Sequence, residues 1–221
     1  DIDAIMPRTQ SRPLPSGRVA PINALILGLV LLTLSLLVAL LVNYLTAIFV
    51  MSGVFIYVGV YTIWLKRRSS LNIVIGGLAG SCAVLAGWFS ITNQWSLTPL
   101  LIALLLLLWT PSHFWSFAMV HQESYRKADI PMLSVVLGNK TTANYVLLHS
   151  SFILFISILL YFVGPFGEVY LIGSLLFGTL FLVSSIRLWQ QPQKERASIN
   201  YKLSGIHLLG LLLVMAVDTL V

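Results

Sequence analysis

The sequence predicts an all-α, polytopic membrane helix bundle, and three observations lead to this fold class. Hydrophobic residues make up 58% of the 221 positions and charged residues only 9%, whereas a soluble domain carries far more charge on its surface. Apolar runs follow one another along the chain, and they approach or exceed the roughly 20 residues that a helix needs to cross a bilayer. Lysine and arginine are gathered in or beside alternate connections between these runs. We therefore interpret residues 1–221 as a single domain whose main partner is the lipid bilayer.

Seven of the apolar runs are predicted to be transmembrane helices. Backbone N–H and C=O groups in lipid must be satisfied within their own segment, so runs of this length are expected to be helical. The sequence does not show the alternating segments of about 10 residues that are typical of membrane β-barrels. The predicted spans are Ile22–Val42, Leu45–Leu65, Ile73–Ile91, Leu97–Val120, Tyr145–Val163, Val169–Leu188 and Leu203–Val221.

The basic residues determine the predicted orientation of these spans. The connections at 43–44, 92–96 and 164–168 contain no lysine or arginine, whereas the N-terminal segment and the remaining connections are basic. Threading seven helices through the bilayer places all of this positive charge on one side, which the positive-inside rule makes cytoplasmic. The N-terminus is thus predicted to be cytoplasmic, the C-terminus external, and the location the cell (plasma) membrane. Because membrane topology accounts for the net charge of +6, nucleic acid is not expected as a partner.

The N-terminal segment, residues 1–21, is predicted to be a shaped loop. Its prolines fix several φ angles and prevent a continuous helix. Arg8, Arg12 and Arg18 lie on it. Two interpretations stay open at this point, because such arginines either anchor a loop at the membrane surface or form a prearranged cradle for an anion.

A second charged segment follows the fourth span. The connection 121–142 is longer than a turn between helices requires, and it carries Glu123, Tyr125, Arg126, Lys127 and Asp129. Charge concentrated beside an apolar slab favours a functional site. Carboxylates can hold Mg²⁺ together with phosphate oxygens, and arginine or lysine neutralises the remaining charge. A cluster of such charged side chains above an apolar cavity would suit a lipid diphosphate.

Three stretches of the chain carry a resemblance to a known family. DIDAIMPRTQSRPLPSGRV, at 1–19, resembles the end of the first aspartate-rich motif of the UbiA-type membrane prenyltransferases, in which Asn-xxx-Asp-xxx-Asp precedes RTxxRPLPSG. KRRSSLNIVIGGLAG at 66–80 and WTPSHFWSFAMVHQESYRKADIPMLSVVLG at 109–138 are similar to the haem-farnesylating branch, with its WTPPHFWxLA…YxxAxIPMLPV pattern. Members have nine transmembrane helices, so the resemblance implies that two N-terminal helices precede this domain.

The resemblance implies transfer of a farnesyl group from farnesyl diphosphate to haem b, with Mg²⁺ as cofactor. Asp3 matches the last aspartate of the first motif and would bind Mg²⁺, with Asp1 assisting. Arg8 and Arg12 would contact the diphosphate. A haem A synthase or an oxidase-assembly protein is the partner implied for the product.

Further site residues follow from the same resemblance. Lys66 and Arg67, in the matching basic loop, are diphosphate candidates. The second acidic motif of the family, DxxxD, is not matched, because Ser124 stands before Tyr125 where the haem branch often has an acidic residue. Either Glu123 or Asp129 would therefore approach a second magnesium ion, with Tyr125 in the catalytic set and Arg126 and Lys127 at the substrate.

His113 and the choice of acceptor leave alternatives open. A histidine within a membrane helix is either an interhelical hydrogen-bond partner or, here, a contact to haem through its iron or a propionate. Another aromatic acceptor, a quinone precursor or chlorophyllide, would use the same diphosphate machinery. A transporter would instead require ionisable residues at mid-depth and interrupted helices.

Overall fold

The computed structural model describes residues 2–220, and within this range seven helices are long and apolar enough to cross a membrane. The predicted fold class and the number of spans are thereby confirmed, while Val221, the predicted end of the last span, lies outside the described residues. The helices are α1 (Ile2–Ile5), α2 (Pro21–Val42), α3 (Tyr44–Val54) continuing as a π-helix, π1 (Phe55–Leu65), α4 (Asn72–Ile91), α5 (Leu97–Val120), α6 (Gln122–Lys127), α7 (Leu133–Val136), α8 (Gly138–Val163), α9 (Glu168–Gln190) and α10 (Lys194–Asp218).

Two helices begin earlier than the sequence predicts. Helix α8 begins at Gly138 rather than Tyr145, and α10 begins at Lys194 rather than Leu203. The first turns of both helices are polar, so they extend beyond the apolar region that hydropathy detects. The connection after α5 is correspondingly shorter than predicted, and it is ordered by α6 and α7.

The N-terminal loop is shaped by consecutive turns, as predicted. Backbone bonds link Thr9 to Met6, at 2.9 Å, and Ser16 to Arg12, at 3.0 Å. Arg18 donates from Nη2 to the Ser11 carbonyl oxygen at 2.6 Å, so its guanidinium braces the loop itself. Met6 is buried against Ile73, Ile130 and Met132. The loop is therefore fastened to the beginning of α4 and to the segment between α6 and α7.

Helix α5 lies at the centre of the bundle, where it packs against α4, α8 and α10. Lipid does not drive apolar helices together, so close packing through small residues matters instead. A Cβ atom at Gly173 would lie 2.5 Å from a Val214 methyl, and one at Gly210 would lie 2.6 Å from the Phe177 ring. Glycine therefore permits the close approach of α9 and α10.

The basic connections meet at one end of the bundle, which we call the polar end. Asp3, Lys66 and Arg67 line one pocket there. Lys140, at the start of α8, donates from Nζ to the Trp189 carbonyl oxygen at 2.8 Å. The N-terminal loop and the connections after π1, α5 and α9 thus share this end, which is the clustering of charge that the sequence predicts.

Candidate active site

A pocket of about 700 Å³ at the polar end brings together three of the predicted site residues. Asp3 comes from α1, and Lys66 and Arg67 follow directly on the end of π1. Arg12 reaches the same place, because its Nη1 lies 2.9 Å from Asp3 Oδ2. A carboxylate and three cationic side chains therefore border one opening. The pocket is lined by Ile2, Asp3, Leu14, Pro15, Pro21, Thr62, Ile63, Lys66 and Arg67.

The backbone of Asp3 is held by a buried hydrogen bond, whereas the ion pair between its side chain and Arg12 is exposed to solvent. Thr9 is only 1% exposed, and its Oγ1 donates to the Asp3 carbonyl oxygen at 2.9 Å. The two charged side chains remain 38% and 53% exposed, for Asp3 and Arg12 respectively. Ion pairs with this exposure contribute little to stability. The ion pair can consequently open, so that the carboxylate of Asp3 and the guanidinium of Arg12 each bind a ligand instead.

Arg8 occupies a different place from Arg12. Its guanidinium carbon lies 5.1 Å from the ring centroid of Phe117, near the end of α5. Burial raises the pKa of Tyr125, and the nearby Arg8 cation partly offsets that rise. Burial lowers the pKa of His121, and Arg8 and Lys194 lower it further. The loop thus directs Arg12 to the pocket and Arg8 to the top of α5.

An apolar groove begins beneath the polar end, between π1, α4 and α5. Its first part has a volume of about 300 Å³ and is lined by Tyr57, Tyr61, Gly76 and Phe114, among others. A second cavity of about 300 Å³ shares Tyr57 with the first and continues between α3 and α4. The described residues lining both parts carry no formal charge. Such a groove is suited to a hydrocarbon chain.

The π-helix sets the position of the two groove tyrosines. Lys66 donates its backbone N–H to the Tyr61 carbonyl oxygen at 2.8 Å, and Thr62 Oγ1 donates to that of Tyr57 at 2.7 Å. The backbone bond from Lys66 spans five residues instead of the four of an α-helix, which widens the turn. The rings of Tyr57 and Tyr61 lie 5.8 Å apart, between their centroids, and nearly parallel. Departures of this kind are frequent at functional sites.

His113 lies in an aromatic cluster that joins α5 to α10. Its ring centroid is 4.4 Å from that of Trp109 and 4.4 Å from that of Tyr201. Its Nδ1 atom is 2.7 Å from Ser204 Oγ. The Trp109 indole donates to the Ser204 carbonyl oxygen at 2.8 Å. We refer to Trp109, His113, Tyr201 and Ser204 as the His113 cluster.

Seven of the predicted site residues lie outside the pocket, namely Arg8, His113, Glu123, Tyr125, Arg126, Lys127 and Asp129. Glu123 and Arg126 pair with each other at 2.8 Å on an exposed face of α6. Lys127 and Asp129 are also exposed, and the backbone of Asp129 adopts a left-handed φ of 52°. Among residues 2–220, no group of three or more histidine, cysteine or acidic side chains is placed to hold a metal ion. The roles of Glu123 and Asp129 therefore stay predictions.

One further predicted residue, Asp1, lies outside the described residues. Among the described residues that line the pocket, Asp3 is the acidic one, and its carboxylate suits Mg²⁺. Magnesium commonly binds through one or two carboxylates and completes its shell with substrate phosphates and water. A carboxylate that lines a pocket together with two cationic side chains meets that requirement.

Sequence reasoning missed several residues of the site. Ser204 and Tyr201 contact His113 across 91 and 88 positions of sequence, and Thr9 supports Asp3 from within the loop. A serine in an apolar helix most often bonds its own backbone, so it gives no signal by itself. The aromatic residues flanking His113 offered a signal, but only the fold shows that α10 supplies the second face.

Comparison with known proteins assigns the chain to a family. Residues 1–206 match the UbiA prenyltransferase family. A protoheme IX farnesyltransferase of Desulforudis audaxviator is 42% identical over 99% of this chain and 69% of its own length. Proteins of the same name from Symbiobacterium thermophilum and Marinobacter nauticus are each 41% identical, with 74% and 72% of their lengths covered.

A solved structure supports the same fold. A digeranylgeranylglyceryl phosphate synthase in membranes superposes with a TM-score of 0.79, covering 98% of this chain and 78% of that chain, at 24% identity. At that identity the likeness supports the architecture alone. The family match and the extended identity with the farnesyltransferases go further: this chain belongs to the UbiA prenyltransferase family and, within it, to the protoheme IX farnesyltransferases.

Proposed function

We propose that this protein transfers a farnesyl group from farnesyl diphosphate to the vinyl group of protohaem IX, giving haem O and pyrophosphate. The observation that carries this proposal is the pocket in which Asp3, Lys66 and Arg67 meet above an apolar groove. The names of the relatives favour haem over a quinone precursor or chlorophyllide as acceptor. Membership of the prenyltransferase family opposes a transporter.

The basic side chains of the pocket would bind the diphosphate. Lys66 and Arg67 border the opening, and Arg12 can turn from Asp3 to a phosphate oxygen because the pair is exposed. Prearranged cations of this kind stabilise the charge that develops on departing pyrophosphate. Tyr125 would assist as a neutral donor, since burial raises the pKa of its phenol. Arg126 and Lys127, which are exposed on α6, would contact the substrate from that segment.

Asp3 is the residue that we propose for Mg²⁺ binding, with Asp1 assisting. Bound Mg²⁺ would supply charge neutralisation at the diphosphate. When Asp3 contributes its carboxylate to that ion, Arg12 loses its present partner and becomes available to the phosphates. Glu123 or Asp129 is proposed for a second ion, and each would have to approach from the exposed α6 segment.

The apolar groove would protect the reactive carbon. Breaking the bond between farnesyl C1 and the diphosphate oxygen leaves an allylic cation, which water must not reach early. The vinyl group of haem then forms a carbon–carbon bond to C1. Water adds to the resulting cation and loses a proton, leaving a hydroxyethylfarnesyl substituent. His113, at the aromatic face next to Phe114, is the residue proposed to contact the haem.

The location of the reaction follows from the charge distribution. The polar end carries the basic connections, so the positive-inside rule supports a cytoplasmic active face in the plasma membrane. Both the prenyl donor and the product are amphiphilic, and the groove lies within the apolar part of the bundle. A membrane-bound haem A synthase or an oxidase-assembly protein is the receiver that we propose for haem O.

A direct assay tests the proposal. The protein in membrane vesicles is supplied with farnesyl diphosphate, Mg²⁺ and haem b, and haem products are identified by mass spectrometry. We expect farnesylated haem that forms only with active protein. No haem product, together with transfer to an aromatic acid, would show that the acceptor is wrong.

Asp3→Asn tests the metal role. The amide keeps the shape of the side chain but removes its charge, so we expect turnover to fall by roughly 100-fold and its response to Mg²⁺ concentration to weaken. Glu168→Gln is the matched control, because this exposed carboxylate begins α9 at the other end of the bundle. Unchanged turnover and Mg²⁺ dependence in Asp3→Asn would contradict the role of Asp3.

A further inference from the structure

Ser204 is placed to decide what the ring of His113 can do. It is fully buried, and its Oγ makes two short contacts, one to His113 Nδ1 at 2.7 Å and one to the Tyr201 carbonyl oxygen at 2.7 Å. A carbonyl oxygen only accepts, so the contact with Tyr201 is a hydrogen bond only when the serine hydroxyl donates its single proton to that oxygen. Its oxygen is then left to accept from His113, which requires the proton on Nδ1.

The opposite arrangement makes fewer hydrogen bonds. If Ser204 donated its proton to an unprotonated Nδ1 of His113, no hydrogen would lie between the Ser204 hydroxyl oxygen and the Tyr201 carbonyl oxygen. One bond would then replace two in a buried site, where an unmade bond is costly. The bonding pattern therefore favours the tautomer with Nδ1–H and with a lone pair on Nε2.

The faces of the ring are closed to a ligand. Trp109 stacks on the imidazole with an interplanar angle of 20°, and Tyr201 packs against it at 35°, both with centroids 4.4 Å away. Approach is thus left to the edge of the ring. Within residues 2–220, Nδ1 has a hydrogen-bond partner and Nε2 has none. The lone pair of an imidazole nitrogen lies in the ring plane, which is the direction that a metal ligand needs.

We propose that Ser204 is a positioning residue that fixes His113 as an Nε2 ligand to the iron of the haem substrate. This inference rests on the proposed function, because it takes haem as the acceptor. It also selects between two modes of contact. An Nε2 lone pair binds iron, whereas a propionate would require an N–H donor at that position. The serine acts as the outer partner of the ligand, as carbonyls and carboxylates do for many metal-bound histidines.

The test is a spectrum of bound haem rather than turnover alone. The protein in nanodiscs is titrated with ferrous haem b, and the iron–histidine stretching band is recorded by resonance Raman spectroscopy. We expect the band in the unaltered protein and its loss in His113→Ala. In Ser204→Ala we expect a shifted or weakened band and haem binding about 10-fold weaker. Ser204→Thr, which keeps the hydroxyl, should restore both.

Two further variants keep the test informative. Ser204→Cys preserves the size of the side chain but offers only a weak acceptor, so it should resemble Ser204→Ala even if the alanine variant folds poorly. Ser198→Ala removes a hydroxyl from the same helix, and no hydrogen bond joins that residue to the His113 cluster. It should leave the band unchanged.

Different results would overturn different statements. Haem bound with an unaltered band in both Ser204→Ala and Ser204→Cys would refute the positioning role. Haem bound by the unaltered protein without any iron–histidine band would refute iron ligation, and in both cases farnesylation of haem could still proceed. If the unaltered protein neither bound nor farnesylated haem, both the proposed function and this inference would be wrong.

Discussion

Arg8 is a single positive charge that acts on two titratable side chains at the top of α5. It lowers the pKa of His121 by disfavouring the imidazolium, and it lowers that of Tyr125 by favouring the phenolate. Because burial acts on the two groups in opposite directions, the two pKa values move apart in the folded protein. The sign of the Arg8 effect is nevertheless the same for both.

Arg8→Gln should therefore raise both pKa values. His121 would move back towards its ordinary value, and Tyr125 would move still further above its own. NMR titration of labelled histidine and ultraviolet difference titration of tyrosinate measure the two effects. Arg68→Gln, on the connection after π1, is the control for a general loss of positive charge. Opposite shifts of His121 and Tyr125 would show that Arg8 does not act through its charge.

At the scale of single residues, the sequence predicts the diphosphate end better than the acceptor end. Asp3, Lys66 and Arg67 lie in recognisable motifs, and the pocket unites them. The contact between His113 and Ser204 has no counterpart in local sequence, since it depends on how α5 and α10 face each other. Glu123 was predicted near the site from its charge and from its place beside the unmatched second acidic motif. In the structure it pairs with Arg126 on a short helix, and its role at the site stays a prediction.

At the scale of helices, the carboxylate of Asp218 caps a helix other than its own. It lies at the end of α10 and accepts from the backbone N–H groups of Gly167, at 2.6 Å, and Tyr170, at 3.0 Å. Both groups belong to the beginning of α9, where the first N–H groups have no partner within the helix. The negative charge also complements the helix dipole there. Asp218 thereby joins α9 to α10 at the end opposite the active site.

Asp218→Ala should destabilise the protein without altering its chemistry. Losing a helix cap costs about 1 kcal/mol, which for a chain of this size corresponds to a fall in Tm of roughly 2–4 °C. Asp218→Asn keeps one acceptor and should lose less. Thermal unfolding in one detergent measures the difference. An unchanged Tm in the alanine variant would show that the cap contributes nothing to stability.

The approach of π1 to α4 depends on a single glycine. A Cβ atom at Gly76 would lie 2.7 Å from Tyr61 Cδ2 and 3.3 Å from Tyr61 Cβ, so the base of the tyrosine side chain would have to move. The Cβ atom of Tyr61 is fixed to the backbone, so rotation of the ring alone would not remove the close contact. Because Tyr61 lines the groove, a shift at Gly76 is transmitted to the hydrocarbon-binding surface.

Gly76→Ala should therefore weaken the binding of farnesyl diphosphate and reduce stability by about 1–3 kcal/mol, the usual cost of overpacking. Gly87→Ala is the matched control, because it adds the same methyl to the same helix where no atom outside the helix lies within 4 Å. Substrate KM and Tm are measured for both variants. Equal values for the two would mean that Tyr61 does not need its present position.

The elements themselves were predictable to different degrees. Hydropathy locates the seven spans because lipid imposes length and composition on each. It does not locate the starts of α8 and α10, whose first turns are polar and lie beyond the apolar region. The π-helix was not predictable either, since hydrogen bonds that span five residues instead of four leave no mark on the hydropathy of a largely apolar segment.

At the scale of the whole molecule, the bundle separates charge from hydrocarbon along its long axis. The polar end holds Asp3 and its basic neighbours. The groove runs from that end between π1, α4 and α5, and it continues between α3 and α4. A substrate with a charged head and an apolar tail would be aligned by this arrangement alone. The depth of the groove should then limit the length of the tail.

Ala83 tests that limit, because it lines the deeper cavity and not the first one. Ala83→Leu would fill space that only the far end of a chain occupies, so kcat/KM for farnesyl diphosphate should fall by roughly 10-fold or more, while that for the shorter geranyl diphosphate should be retained. Gly87→Leu adds the same side chain to α4 outside the groove and should leave the ratio unchanged. An equal fall in kcat/KM for both donors would show that the farnesyl tail does not lie in the deeper cavity, because only a chain that reaches residue 83 contacts the larger side chain there.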